Sequence, residues 1–204
     1  MSSSFGGSRK PSSSFGFRTS LVLIVLGISL VSLCAAQSSG PDQEETSSFE
    51  YNVKAVYLYN FTRYLQWQEE AQPDAFTIVV FGESEIVSPL LEIARKKTIG
   101  SMPIVIRQCL EIGQIRRPRI LFIAKSAVPR IDQVLEKTRG TDILTVGEAE
   151  GLAAQGVAVN FVDREGTIKF EMNEKILKDA RIQVSSQLLK LAILVDEEKV
   201  RGGR

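Results

Sequence analysis

The stretch FTIVVFG, Phe76 to Gly82, is an unbroken apolar run rich in β-branched residues. A strand wetted on one face alternates polar and apolar positions. One buried on both faces reads as continuous, the habit of a parallel sheet covered by helices. Three similar runs follow: MPIVIRQC from Met102 to Cys109, RILFIA from Arg119 to Ala124, and DILTVG from Asp142 to Gly147. Helix signals separate them. Ser84 can cap a helix from about Glu85 to Lys97, with Ile86, Leu90, Leu91, Ile93 and Ala94 inward. Ser126 can open another that carries Val128, Ile131, Val134 and Leu135 inward and ends at Gly140. A short helical turn fits Glu148 to Ala154. This alternation predicts an α/β domain with a mostly parallel, mixed sheet in flavodoxin- or Rossmann-like layering.

Toward the carboxyl end the pattern changes. Val157–Asp163 and Thr167–Met172 flank Arg164-Glu165-Gly166, the signature of a β-hairpin, so an antiparallel pair is expected at one side of the sheet. Asn173 can cap a further turn. Ser185 or Ser186 can cap a helix over Gln187–Val195 that turns Leu188, Leu189, Leu191, Ala192 and Leu194 inward. Residues 196–204 read as a loose, charged tail.

Upstream of the first strand, all four tyrosines and the single tryptophan fall between Tyr51 and Trp67. The segment from Glu50 to Gln68 has no Pro or Gly and predicts a helix. Two apolar stripes run along it, one through Tyr51, Ala55, Leu58, Phe61 and Leu65. The other takes Val53, Val56, Tyr57, Tyr64 and Trp67, leaving Lys54, Asn60, Thr62 and Arg63 to face water. So narrow a wet face requires packing on several sides. Two readings stand: a core helix whose polar ring atoms find partners, or an aromatic surface that meets a partner chain or ligand.

Residues 1–36 read as a secretory signal peptide. Arg9, Lys10 and Arg18 form a positive n-region, Leu21–Leu33 is apolar, and Cys34-Ala35-Ala36 supplies small residues for cleavage after Ala36. The apolar run is short for a span, which needs about 20 residues. For lipidation at Cys34, Leu33 stands where a small residue is wanted. Export to the periplasm is the expectation. Removing residues 1–36 from the 204 leaves 168, one ordinary domain, and takes the formal net charge from +1 to −2. Residues 37–49, rich in Ser, Glu, Asp and Gln, read as a flexible polar lead-in to a domain over 50–195. Near-neutral charge gives no electrostatic case for nucleic acid. Of the two cysteines only Cys109 lies beyond the leader, so no internal disulfide forms; it reads as a buried small apolar residue or as one half of an intermolecular bridge. The chain has no histidine, which removes Ser-His-Asp and Cys-His catalysis and His-ligated metal. No cofactor or metal is called for, and the chain reads as non-catalytic.

In an open α/β sheet, ligands favour the crevice beyond the carboxyl ends of the strands. Here those ends carry Gly82-Glu83-Ser84, Lys125-Ser126 and Gly147-Glu148. They read either as a small-anion site or as plain helix capping. The carboxylate pairs Glu69/Glu70, Glu148/Glu150 and Asp163/Glu165 read as solvated turns. Arg116-Arg117-Pro118-Arg119 reads as a solvated strand entry or as a site for an acidic partner.

Taken in series, KAVYLYNFTRYLQW (54–67), FTIVVFG (76–82), RILFIAKS (119–126), DILTVGE (142–148), GVAVNFVDREGTIKFEMN (156–173) and SSQLLKLA (185–192) resemble the YfiR-like family of bacterial periplasmic proteins. The resemblance implies a compact α/β domain that acts without catalysis. In the best-known type the protein binds the periplasmic part of an inner-membrane diguanylate cyclase and keeps cyclic-di-GMP output low. Other members stand beside sensor kinases or outer-membrane components. Two positions depart from the family: Gln68 follows Trp67 where a Pro is usual, and the paired cysteines of the type member have no counterpart.

Two functions are therefore expected. The first is a periplasmic adaptor or repressor that biases a membrane diguanylate cyclase or sensor kinase, binding through Tyr57, Arg63, Tyr64 and Trp67. The second is a small-ligand module using Gly82, Glu83, Ser84, Lys125 and Ser126. An open sheet edge would pair two chains into a homodimer.

Overall fold

The computed structural model describes residues 41–68 and 74–195, with side chains from Thr46 onward. The leader, the tail and the Gln72-Pro73 part of the expected turn lie outside the described residues. In chain order the elements are α1 (Pro41–Tyr64), β1 (Leu65–Trp67), β2 (Phe76–Phe81), α2 (Val87–Lys96), β3 (Thr98–Ile99), β4 (Met102–Cys109), β5 (Ile120–Ile123), α3 (Ile131–Thr138), β6 (Leu144–Gly147), α4 (Leu152–Gln155), β7 (Val159–Arg164), β8 (Thr167–Met172), α5 (Glu174–Asp179), β9 (Ile182–Val184), α6 (Ser186–Leu189) and β10 (Ile193–Leu194).

Eight strands form one sheet in the order β10-β8-β7-β6-β5-β2-β4-β3. The inner five, β4-β2-β5-β6-β7, run parallel, and β8 turns back antiparallel on β7 as the hairpin pattern predicts. The chain steps from β2 outward to β4, then crosses back to β5 and continues away on the other side. Right-handed crossovers in opposite directions place their helices on opposite faces of the sheet. Accordingly α1 and α2 cover one apolar layer, built on Phe76, Ile78, Val80, Ile120 and Phe122. The other contains Val79, Phe81, Leu121 and Ile123 under α3 and α4. Burial on both faces explains the unbroken apolar runs of β2, β5 and β6.

The first helix departs from expectation at both ends. It starts at Pro41, so residues 41–49 continue the helix where a loose lead-in was expected. After Tyr64 the chain becomes β1, which pairs antiparallel with β9 (Leu65↔Val184, Trp67↔Ile182) in a separate ribbon. The carbonyl of Tyr64 accepts from the Ser185 amide at 2.9 Å. Trp67 therefore belongs to a strand, its indole edge-on to Phe76 at 5.5 Å. Along the helix, Lys54 faces inward and is buried, whereas Val56, placed in an apolar stripe by its sequence, is exposed.

Other corrections have local causes. The segment after Ser126 opens as a 3-10 turn over Lys125–Arg130, because Pro129 has no amide to donate, and becomes α3 only at Ile131. Ser185 does cap a helix, accepting from the Leu188 amide at 3.3 Å, but α6 lasts one turn before β10 joins β8 in parallel. Leu191 and Leu194 are consequently exposed, not turned inward. The edge strands β3 and β10 are two residues long, so each covers only one end of its neighbour, β4 or β8.

The middle of α1 is held by rings. Tyr57 and Phe61 meet Phe161 of β7 and Phe170 of β8 at centroid distances of 5.1 to 6.0 Å. Phe61 is fully buried among them. Truncating it removes several ring contacts and leaves a cavity, so Phe61→Ala should cost about 3–5 kcal/mol of unfolding free energy in a urea titration. Val56→Ala, one helical turn earlier on the wet face, should stay within about 0.5 kcal/mol.

Candidate functional site

The crossing of the chain between β2 and β5 defines a topological switch point, the place where open α/β sheets hold ligands. The sequence-selected residues Gly82, Glu83 and Ser84 follow β2, and Lys125 and Ser126 follow β5, so the fold does bring them together. They bond mainly to one another. Ser126 Oγ accepts from the Glu83 amide at 2.8 Å and donates to the Glu83 carbonyl at 3.1 Å. Gln108 Nε2 donates to the Gly82 carbonyl at 2.8 Å. Ser84 Oγ accepts from the Ile86 amide at 3.3 Å, leading into α2. Gly82 has φ +100°, and a Cβ there would lie 2.7 Å from Ser126 Oγ, so the turn needs glycine both for its backbone and for the close approach.

What lies over this turn is the amino-terminal half of α1. Lys54 Nζ donates to Glu148 Oε2 at 2.6 Å and reaches Glu50 Oε1 at 2.5 Å. Glu148 directly follows β6. Its other oxygen, Oε1, accepts from the Lys125 amide at 3.2 Å and from the Tyr51 hydroxyl at 3.5 Å. Both members of the Lys54–Glu148 pair are buried, while Glu50 is partly open and lies 3.9 Å from the exposed Lys125 ammonium. The ammonium of Lys54 also stands 4.8 Å from the centre of the Tyr51 ring. The chain thus fills its own switch-point crevice with a lysine, a tyrosine and a glutamate. Glu148, expected as a solvated turn residue, is the centre of this network.

Burial by itself pulls the Lys54 pKa down. The charge of Glu148 and the hydrogen bonds to Glu148 and Glu50 outweigh it, and the net shift is upward. Burial raises the Tyr51 pKa, and the Glu148 charge adds to that against Lys54 and a Ser84 hydrogen bond. On the other face of the sheet, burial raises the Cys109 thiol, with Arg130 opposing.

The aromatic candidates lie elsewhere. Tyr57, Tyr64 and Trp67 are half-buried and packed against the core, so only their rims meet solvent; Arg63 is exposed. The outward face of α1 instead shows Phe49, 70% exposed, and Val56, 52% exposed, seven residues apart and therefore two turns along one side. Sequence reasoning missed Lys54 and Glu148. The available signal was position: Lys54 is flanked by Val53 and Ala55 on a helix with a narrow wet face, and Glu148 ends a fully buried strand.

Removing Lys54 alone would leave Glu148 buried without its charge partner, so Lys54→Ala should cost about 3–5 kcal/mol, and Lys54→Met with Glu148→Leu markedly less. A double-mutant cycle measured by urea unfolding checks this. For pH, a lysine with a raised folded pKa stabilises fully below its unfolded value and loses that contribution as pH rises through the folded one. A tyrosine with a raised pKa acts in the same direction. Unfolding free energy should therefore fall above about pH 10. In a Tyr51→Phe background the remaining fall should flatten when the Lys54–Glu148 pair is replaced.

Among solved structures, a domain from Streptococcus pneumonia crystallised with L-Trp shares 12% identity over 61% of this chain and 56% of that one, with a TM-score of 0.45. A conserved domain protein from Vibrio cholerae shares 10% identity over 71% of this chain and 60% of that one, with a TM-score of 0.48. The chain thus spans less than two thirds of either. No curated protein matches significantly. Among the described residues no helix is long and apolar enough to cross a membrane. A family profile described as YfiR/HmsC-like matches residues 51–193, from Tyr51 at the switch point to the first residue of β10. The chain belongs to the YfiR/HmsC-like family, a family of periplasmic regulators.

Proposed function

We propose that this protein is a non-catalytic periplasmic adaptor that binds the periplasmic part of an inner-membrane diguanylate cyclase or sensor kinase and biases its activity. Membership of a family of periplasmic regulators supports the reading. The observation that carries the reading is the pair Phe49 and Val56, large apolar side chains left exposed on the outward side of α1. That helix is clamped at the switch point by Lys54 and Glu148 and in its middle by the ring cluster. A rigid helix with an apolar outer stripe binds at low entropic cost, since little needs to be ordered on contact. Arg63 extends the stripe with a charge, and Tyr57, Tyr64 and Trp67 act by fixing the helix and offering their rims. Binding one conformation of the partner better than the other is what would shift its output.

A second reading keeps a small anionic ligand at Gly82, Glu83, Ser84, Lys125 and Ser126. In its favour, these residues meet at the switch point, and Lys125 projects its ammonium from the rim. Against it, Ser126 is engaged with Glu83 and the crevice holds Tyr51 and Lys54. A thermal shift with a panel of anionic metabolites, lost in Lys125→Ala, would support this reading.

For the adaptor, in-cell crosslinking of the tagged protein followed by mass spectrometry should capture a membrane cyclase or sensor kinase. Phe49→Asp with Val56→Asp should abolish the capture while leaving the melting temperature within a few degrees. Unchanged capture by that variant would move the interface off α1. Absence of any membrane signalling enzyme, with the bait folded and abundant, would refute the reading.

A further inference from the structure

We propose that the end of the sheet opposite the switch point is a second docking surface, which takes an extended acidic polypeptide segment carrying apolar side chains. Two adjoining hollows open there, where β5 and β6 begin. One, of about 510 Å³, is lined by Arg116, Arg117 and Lys137, with Ile115 and Ile143 among its apolar walls and no acidic residue in its lining. The other, of about 350 Å³, shares Thr141 and Ile143 with the first and adds Arg139.

The charge around these hollows is one-sided. Arg119 is spent on Asp142 at 3.0 Å, and Lys175, at the far rim of the second hollow, on Asp179 at 3.0 Å. Arg116, Arg117, Lys137 and Arg139 are exposed, and among the described residues none of them has a carboxylate partner. Four uncompensated cations at one end are a local excess in a chain whose formal net charge is only +1. Arg117 also holds φ +33° immediately before Pro118, a conformation that L residues rarely adopt and that the following proline disfavours further.

Shape selects the class of partner. Leu135 and Ile176, half-buried in the lining of the second hollow, are apolar walls that a bare phosphate or a uniformly charged polyanion would leave unused. A bilayer surface is too flat to enter paired concavities. A polypeptide can place apolar side chains in successive hollows while its carboxylates meet the rim cations, with arginine suited to bidentate contacts. This surface lies at the opposite strand ends from the Lys54–Glu148 lock, so it goes beyond the α1 interface and gives the adaptor a second point of attachment.

The test is fluorescence anisotropy of the purified protein with a labelled peptide of repeating Glu-Leu-Glu-Ser units. Saturable binding that weakens with added salt is expected, as is weaker binding of the Glu-Ser-Glu-Ser analogue. Arg116→Glu with Arg117→Glu should weaken binding about tenfold or more, and Lys137→Glu should weaken it in the same direction. Lys169→Glu, on β8 away from the hollows, should leave it unchanged; a thermal melt confirms that each variant is folded. Equal binding by the charge-reversed variants overturns the proposal. So does equal binding of the leucine-free peptide, or displacement of the peptide by phosphatidylglycerol vesicles at lower concentration than by unlabelled peptide.

Discussion

The ion pair between Lys54 and Glu148 governs where α1 lies, because a lysine buried in an apolar layer is tolerated only where a carboxylate meets it. The carboxylate comes from the end of β6, which its two parallel neighbours, β5 and β7, hold in register. Tyr51 and the Lys125 amide bind the same Glu148, so one side chain ties the helix to the loops after both β5 and β6. Farther along, the ring cluster and the β1–β9 ribbon fix the rest of the helix to the hairpin side of the sheet. A buried ion pair adds little net stability compared with apolar packing, yet it strongly penalises misplacement. Its role here is to specify the register of α1.

This arrangement changes what the fold offers chemically. In a doubly wound sheet the switch point is the natural cleft for a ligand. Here its polar groups are satisfied within the chain: Ser126 by Glu83, the Gly82 carbonyl by Gln108, Glu148 by Lys54. What stays open lies outside the cleft: Phe49 and Val56 are exposed on the helix that closes it, and the basic hollows open at the other end. Two such surfaces are what the proposed adaptor role would use, in keeping with a family of regulators.

Much of the fold was legible in the sequence, because the inner strands carry the strongest signal a sequence gives. FTIVVF, ILFI and LTVG are buried on both faces and read as such, and the hairpin turn at Glu165-Gly166 declares itself. The two- and three-residue strands β1, β3, β9 and β10 did not, since so few residues show no period. The mistaken terminal helix has the same origin: LLKLAILV satisfies a helical pattern, but only pairing with β8 decides that Ile193 and Leu194 are extended. At the strand ends, residue types pointed to a cluster, and the fold does bring Gly82, Glu83, Ser84, Lys125 and Ser126 together. The Lys54–Glu148 contact joins residues 94 positions apart, and nothing local encodes it. The aromatic segment left two readings open for a related reason: tyrosine suits both core and interface, and only the positions of Phe161 and Phe170 show that Tyr57 faces them.

The central claim is that α1 is locked over the strand ends as an integral part of the domain. Native-state hydrogen exchange resolved to single amides tests it most directly. The account predicts that amides of residues 51–61 are protected to within an order of magnitude of those in β2 and β5, and that Glu148→Gln selectively exposes residues 51–56 while the strands keep their protection. Rapid exchange of residues 51–56 in the unaltered protein, or an identical profile in Glu148→Gln, would contradict it.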